Sequence, residues 1–251
     1  MKRIDFNCDM GESFGVWRMG QDAEVMPWIS SASIACGMHA GDPATMQATV
    51  ALARRHRVAI GAHVSLPDLQ GFGRRTMAIT PADLHALVIY QIGALDGFAR
   101  AAGTRLRHVK AHGALYHQAN ADPALAEAFA GATHAVDPAL RVVTQPDGAL
   151  QHAAAARGLS VLREAFVDRG YGADGHLLAR GTPGALLTPP QAAAQALALA
   201  TRGAIIAFGG VTVPVSADTL CMHGDRDDAA TLAQAIHAVL AAAYVAIEAS
   251  P

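Results

Sequence analysis

Four helix starts are spelled almost identically along this chain. Asp42-Pro43, Thr80-Pro81, Asp122-Pro123 and Thr188-Pro189 each place an oxygen-bearing side chain before a proline. The oxygen satisfies a free N–H of the first turn, and proline has no N–H to leave unsatisfied there. The pairs therefore predict helix N-termini. Ala-rich runs extend them, giving helices over Pro43–Arg55, Pro81–Ala102, Pro123–Ala135, Gly148–Arg157, Pro189–Arg202 and Asp227–Glu248. Between them fall β-rich runs at Arg3–Cys8, Ala32–Met38, Val58–Val64, Arg107–His112, Arg141–Gln145 and Ser160–Val167, with a last strand within Ala204–His223. Strands alternating with helices imply a parallel sheet with crossover helices. The expectation is an α/β protein, an irregular β/α barrel of about seven strands. A doubly wound sheet is the alternative. No linker or repeat divides the chain, so one domain is expected over residues 1–251. Gly203–Val215 is β-rich without an intervening helix and is read as a hairpin or irregular insertion.

Composition narrows the function. Hydrophobic residues make up 52% and charged residues 16%, enough apolar material for a full core. Net charge is −2 with no basic run, which argues against nucleic acid or an anionic membrane surface as partner. The three cysteines, Cys8, Cys36 and Cys221, are widely spaced, so neither a disulfide framework nor a thiolate zinc cluster is expected. The N-terminus lacks an apolar signal region, and Gly203–Val215 is too short and too broken to span a bilayer. A soluble, cytoplasmic protein is expected. P-loop, dinucleotide-binding and nucleophile-elbow motifs are absent.

In barrels of this kind the chemistry gathers at the C-terminal ends of strands. Here those ends read Asn7-Cys8-Asp9-Met10-Gly11-Glu12, Cys36-Gly37-Met38-His39, Gly61-Ala62-His63, Lys110-Ala111-His112, Glu164 through Tyr171, and Cys221-Met222-His223-Gly224-Asp225. Side chains alternate along a strand, so Asp5, Asn7 and Asp9 share a face. Ala35, Gly37 and His39 are read the same way, as are Gly61 with His63 and Lys110 with His112. These faces should converge on one polar interior.

Asp9 and Glu12 are candidates for a base or metal ligands, against a plain capping role. His39 and His63, at matching strand ends, are candidate acid/base groups or ligands. Asp9, His39 and His63 form the candidate metal set. Lys110 is one of only two lysines, the other being Lys2. A lysine kept mid-strand in an arginine-rich chain points to a point charge in use, or to an ion pair with Asp5 or Asp9. His112 shares that reading. Asp42 is read as a helix cap, His223 with Asp225 either as a functional pair or with Asp225 as a cap of the last helix, and the cysteines as inert. In Gly71-Phe72-Gly73-Arg74-Arg75, the glycines let backbone approach an anion and the arginines supply charge, so Arg74 and Arg75 are candidate cofactor contacts.

In this order the clusters resemble the LamB/YcsF family, the A subunits of bacterial 5-oxoprolinase. The blocks are DFNCDMGESFG (5–15), SIACGMHAGDP (33–43), GAHVSLPDLQGFGRR (61–75), VKAHGALYH (109–117), EAFVDRGYGADGHLLAR (164–180) and CMHGD (221–225). The resemblance covers essentially the whole chain. It implies a barrel akin to the glycoside hydrolase/deacetylase group. It also implies ATP-dependent opening of 5-oxo-L-proline to L-glutamate, with B and C subunits as partners. Under that activity Asp9 or Glu12 would position water or a metal, Lys110 and Arg75 would steady phosphate or substrate carboxylate, and His112 would stabilise an oxyanion. Two other functions fit the residues: a metal-dependent carbohydrate deacetylase, and a non-catalytic subunit that delivers substrate. A homo-oligomer stays open, and so does the presence of a divalent metal.

Overall fold

A computed structural model describes residues 2–250. Seven parallel strands close a barrel: β1 (Lys2–Met10), β2 (Ser31–Ala35), β3 (Ala59–Val64), β4 (Leu106–Ala111), β5 (Arg141–Thr144), β6 (Val161–Phe166) and β9 (Thr219–His223). Closure is made by β9, which pairs with β6 on one side and with β1 on the other, Asp5 through Asp9 matching Thr219 through His223. The doubly wound alternative is thereby removed. The helices are α1 (Asp22–Val25), α2 (Pro43–His56), α3 (Pro81–Ala101), α4 (Gly113–Ala121), α5 (Pro123–Val136), α6 (Ala149–Ala156), α7 (Pro189–Arg202) and α8 (Ala229–Ala242).

The cap-plus-proline reading locates its helices. Asp42 accepts from the N–H groups of Ala44 and Thr45, and Asp122 from those of Ala124 and Leu125. Thr80 accepts from Asp83 N, and Thr188 forms a capping box with Gln191. The expected insertion is an antiparallel hairpin, β7 (Ala204–Ile206) with β8 (Thr212–Pro214).

Three expectations are corrected. The last helix does not run to Glu248. It ends at Ala242, Tyr244 takes a left-handed conformation (φ 56°), and β10 (Val245–Ile247) pairs with the start of β1. The second strand stops at Ala35 rather than Met38, because Gly37 turns at φ 96° and its N–H bonds the Ala40 carbonyl. A short helix, α4, follows His112 directly, where none was expected. No helix among the described residues is long and apolar enough to cross a membrane.

Alternation along β1 holds throughout. Ile4, Phe6, Cys8 and Met10 join the hydrophobic core. Asp5, Asn7 and Asp9 enter the barrel, where Asp5 accepts from Ser30, Ser31 and Thr219 hydroxyls at 2.7, 2.6 and 2.5 Å. Those three hydroxyls satisfy the buried Asp5 carboxylate beneath Asn7 and Asp9.

Candidate active site

Lys110 is the centre of the barrel interior. It is 1% exposed, and its Nζ lies 2.8 Å from Asp9 Oδ1, 2.8 Å from Glu164 Oε1, 3.3 Å from Asn7 Oδ1 and 3.1 Å from Cys221 Sγ. A lysine this buried is tolerable only when paired. Burial opposes its charge, but the carboxylates, Asp9 ahead of Glu164, overcome that and raise its pKa well above the usual lysine value. Burial would likewise raise Asp9, yet His63 and Lys110 hold its carboxyl well below the usual range. Asp9 is therefore an anion held between the Lys110 ammonium and the His63 ring.

Above this pair sits a second cluster. His63 Nε2 is 3.3 Å from Asp9 Oδ2 and 2.9 Å from His112 Nδ1. His39 Nε2 is 3.2 Å from Glu12 Oε1, and His112 Nδ1 is 3.5 Å from the same oxygen. The His39 and His112 rings stack at 3.7 Å and 6°. Burial, then neighbouring histidines, pushes the pKa of both well down, so they stand neutral. Glu12 is pushed well up, by burial and then by Asp9.

Local backbone sets these positions. His39 is carried not by strand alternation but by the turn at Gly37 and by Gly41, whose backbone leaves no room for a Cβ against Ala35. Phe72 adopts φ 54°, unusual for a large side chain, and its carbonyl lies 2.8 Å from His112 Nε2. An Nε2–H donated there leaves the His112 Nδ1 lone pair facing inward.

Four ligand atoms, from Glu12, His39, His63 and His112, lie within 4.8 Å of one another. Three imidazole nitrogens and a carboxylate suit a divalent ion of the zinc type, and the Phe72 carbonyl is the outer partner such a ligand needs. Of the expected metal set, His39 and His63 fall in this group together with Glu12 and His112, while Asp9 contacts Lys110 and His63.

A cavity of about 300 Å³ opens above Asp9, His63, Lys110 and His112, with Arg74 on its wall. Arg74 pairs with Asp225 at 2.5 Å, so Asp225 does not cap the last helix, whose N-cap position is Asp228. Arg75 lies off the cavity lining. Its guanidinium is bound by Asp68, which also accepts from Gly71 N, and the pair clips the loop together.

Residues outside the sequence-based candidate set complete the site. Glu164 joins Lys110 from β6. His108 lies on the same face of β4 as Lys110 and His112, with Nε2 3.1 Å from Ser33 Oγ. Its i, i+2 spacing was the available signal. Asp168 holds His223 at 2.9 Å, and the buried Tyr116 hydroxyl lines the cavity without a hydrogen-bond partner among the described residues.

Fold and site together define a closed parallel β/α barrel with a buried histidine, carboxylate and lysine centre at its C-terminal mouth. The chain belongs to the LamB/YcsF family, whose sequence pattern it matches over residues 4–251. It is 53% identical over 249 residues to a Methylococcus capsulatus (strain Bath) protein named as the A subunit of 5-oxoprolinase, covering 99% of this chain and 96% of that one. The crystal structure of a lactam utilization protein from Thermus thermophilus superposes with a TM-score of 0.94 at 44% identity, over 99% of this chain and 100% of that one. A family 4 carbohydrate esterase from Streptomyces lividans shares the fold at a TM-score of 0.50 and 8% identity, covering 98% of this chain and 91% of that one.

Proposed function

We propose that this chain is the A subunit of a 5-oxoprolinase and opens 5-oxo-L-proline to L-glutamate at the expense of ATP, working with B and C subunits. The observation that carries the reading is the buried Lys110–Asp9 pair flooring a cavity sized for a small ring, in a chain akin to proteins named for that activity. A five-membered lactam is an unstrained amide. Transfer of the γ-phosphoryl group to the amide oxygen breaks the bond to ADP and makes the ring carbon electrophilic. Water adds to that carbon, and the C–N bond breaks with a proton delivered to nitrogen. The acyl phosphate left behind is hydrolysed by a second water to glutamate and phosphate.

The side chains suit this chemistry. Asp9 stays ionised and can accept a proton from water, with His63 beside it as relay. Lys110 supplies fixed positive charge where oxyanion charge develops. Asp9, Glu12, His39, His63, Lys110 and His112 are the proposed catalytic set. A divalent metal fits Glu12, His39, His63 and His112, and would supply Lewis-acid polarisation of a carbonyl or phosphoryl oxygen. Arg74 is the proposed contact to the nucleotide side. Residues 1–251 act as one cytoplasmic domain in this scheme.

The test is glutamate formation from 5-oxo-L-proline by the purified chain, alone and with its B and C subunits, with and without ATP. Activity is expected only from the assembled set with ATP. Because the His/Glu cluster would equally serve a metal-dependent deacetylase, acetyl-sugar hydrolysis by the metal-loaded chain is the competing outcome.

A further inference from the structure

One arginine in the cavity wall is unaccounted for. Arg169, just past β6, is 6% exposed and lines the cavity. Its Nε donates to the Ala185 carbonyl at 3.1 Å and one terminal nitrogen to the Leu178 carbonyl at 2.6 Å, while Nη1 has no partner among the described residues. From α7, Gln195 Nε2 donates to the Phe166 and Arg169 carbonyls at 2.8 Å each, which fixes the backbone beneath it.

Among the described residues no carboxylate pairs with Arg169. Asp168 next to it is taken by His223, and Asp225 by Arg74. Asp9 is the only carboxylate among the described residues lining the cavity, and Lys110 neutralises it. Arg180, exposed at the lip of the same cavity, makes no hydrogen bond or ion pair among the described residues. Burial, then repulsion from Arg180, pulls the Arg169 pKa below the usual arginine value, a cost that a bound anion would remove. No carboxylate among the described residues makes an ion pair with either guanidinium group, although a planar fork with a free N–H matches a carboxylate.

We propose that Arg169, with Arg180 at the lip, forms the subsite that binds the carboxylate of the lactam acid. This assignment rests on the lactam reading of the site. It orients the ring: the carboxylate sits toward the β6 side and the amide toward Asp9, His63 and Lys110.

Calorimetric titration of the full chain with 5-oxo-L-proline and with 2-pyrrolidinone, the same ring without the carboxylate, tests it. Wild type should bind the acid about tenfold or more tightly than the neutral ring. Arg169→Gln should abolish that preference while leaving 2-pyrrolidinone binding unchanged. Arg180→Gln, which breaks no contact and so should not disturb folding, should weaken acid binding by about threefold. Equal binding of both rings by wild type, or an undiminished preference in Arg169→Gln, would overturn the proposal. A loss in Arg169→Gln confined to inorganic phosphate would assign the residue to a phosphoryl group and overturn it too. If neither lactam binds but acetate still binds wild type better than Arg169→Gln, the lactam reading fails and the carboxylate site stands.

Discussion

Lys110 Nζ and Asp9 Oδ1 meet at 2.8 Å inside the barrel, although β4 and β1 do not pair with each other. The same ammonium also neutralises Glu164. Met matches the length of lysine but carries no charge, so Lys110→Met would strand two carboxylates in the interior. Lys110→Met should therefore cost about 3–5 kcal/mol by denaturant unfolding. Adding Glu164→Gln should recover much of that loss without restoring turnover. Recovery of turnover along with stability would make Lys110 a purely structural residue.

His108 gives the barrel interior a pH signature. Burial, then the charge of Lys110, lowers its pKa from 6.5 to about 3. The unfolded chain binds this proton below about 6.5 and the native chain does not, so the contribution is full above 6.5 and shrinks as pH falls toward 3. Between pH 6.5 and 5 the loss is about 2 kcal/mol, at roughly 1.4 kcal/mol per pH unit. His108→Asn should lack that part of the slope in unfolding curves taken across the range. An unchanged slope would place the proton uptake elsewhere.

Gly73 tests how tightly the histidine cluster is built. It sits at φ 65°, and a Cβ there would lie 2.8 Å from the His112 ring and 3.0 Å from His39 Cβ. Gly73→Ala should lose about 1–3 kcal/mol and, by shifting the two rings, cut turnover of the assembled enzyme about a hundredfold. Gly97, within α3, meets nothing within 4 Å of such an atom. Gly97→Ala should gain up to about 1 kcal/mol and leave turnover unchanged.

The Glu12, His39, His63 and His112 cluster should respond to zinc. A tight site raises the melting temperature, by about 2.7 kcal/mol of stabilisation at a hundred times Kd. Glu12→Gln and His39→Ala should each remove most of the shift. A melt indifferent to added zinc, manganese and cobalt would mean that the cluster works without metal.

The barrel and its mouth are legible in the sequence because each depends on local signals. Cap and proline pairs mark helix starts, and period-two alternation puts Asp9, His63 and Lys110 on inward faces. What the sequence hides comes from the third dimension. Glu164 stands within a strand-end cluster, but nothing in one strand tells that it meets a lysine of another. His39 reads as an inward residue of a strand, yet the turn at Gly37 carries it inside. Arg75 looks equivalent to Arg74, and only the buried Asp68 separates their fates. The β10 strand is masked by an Ala-rich run that reads as helix until Tyr244 turns left-handed.

The most direct test of the central claim is ATP-dependent glutamate release from 5-oxo-L-proline by complexes assembled with B and C subunits around wild-type or Asp9→Asn chain. Assembly should be equal by gel filtration. Wild-type complex should turn over, B and C without this chain should not, and Asp9→Asn should fall about a hundredfold or more. Full turnover by the Asp9→Asn complex, or by B and C alone, would contradict the account.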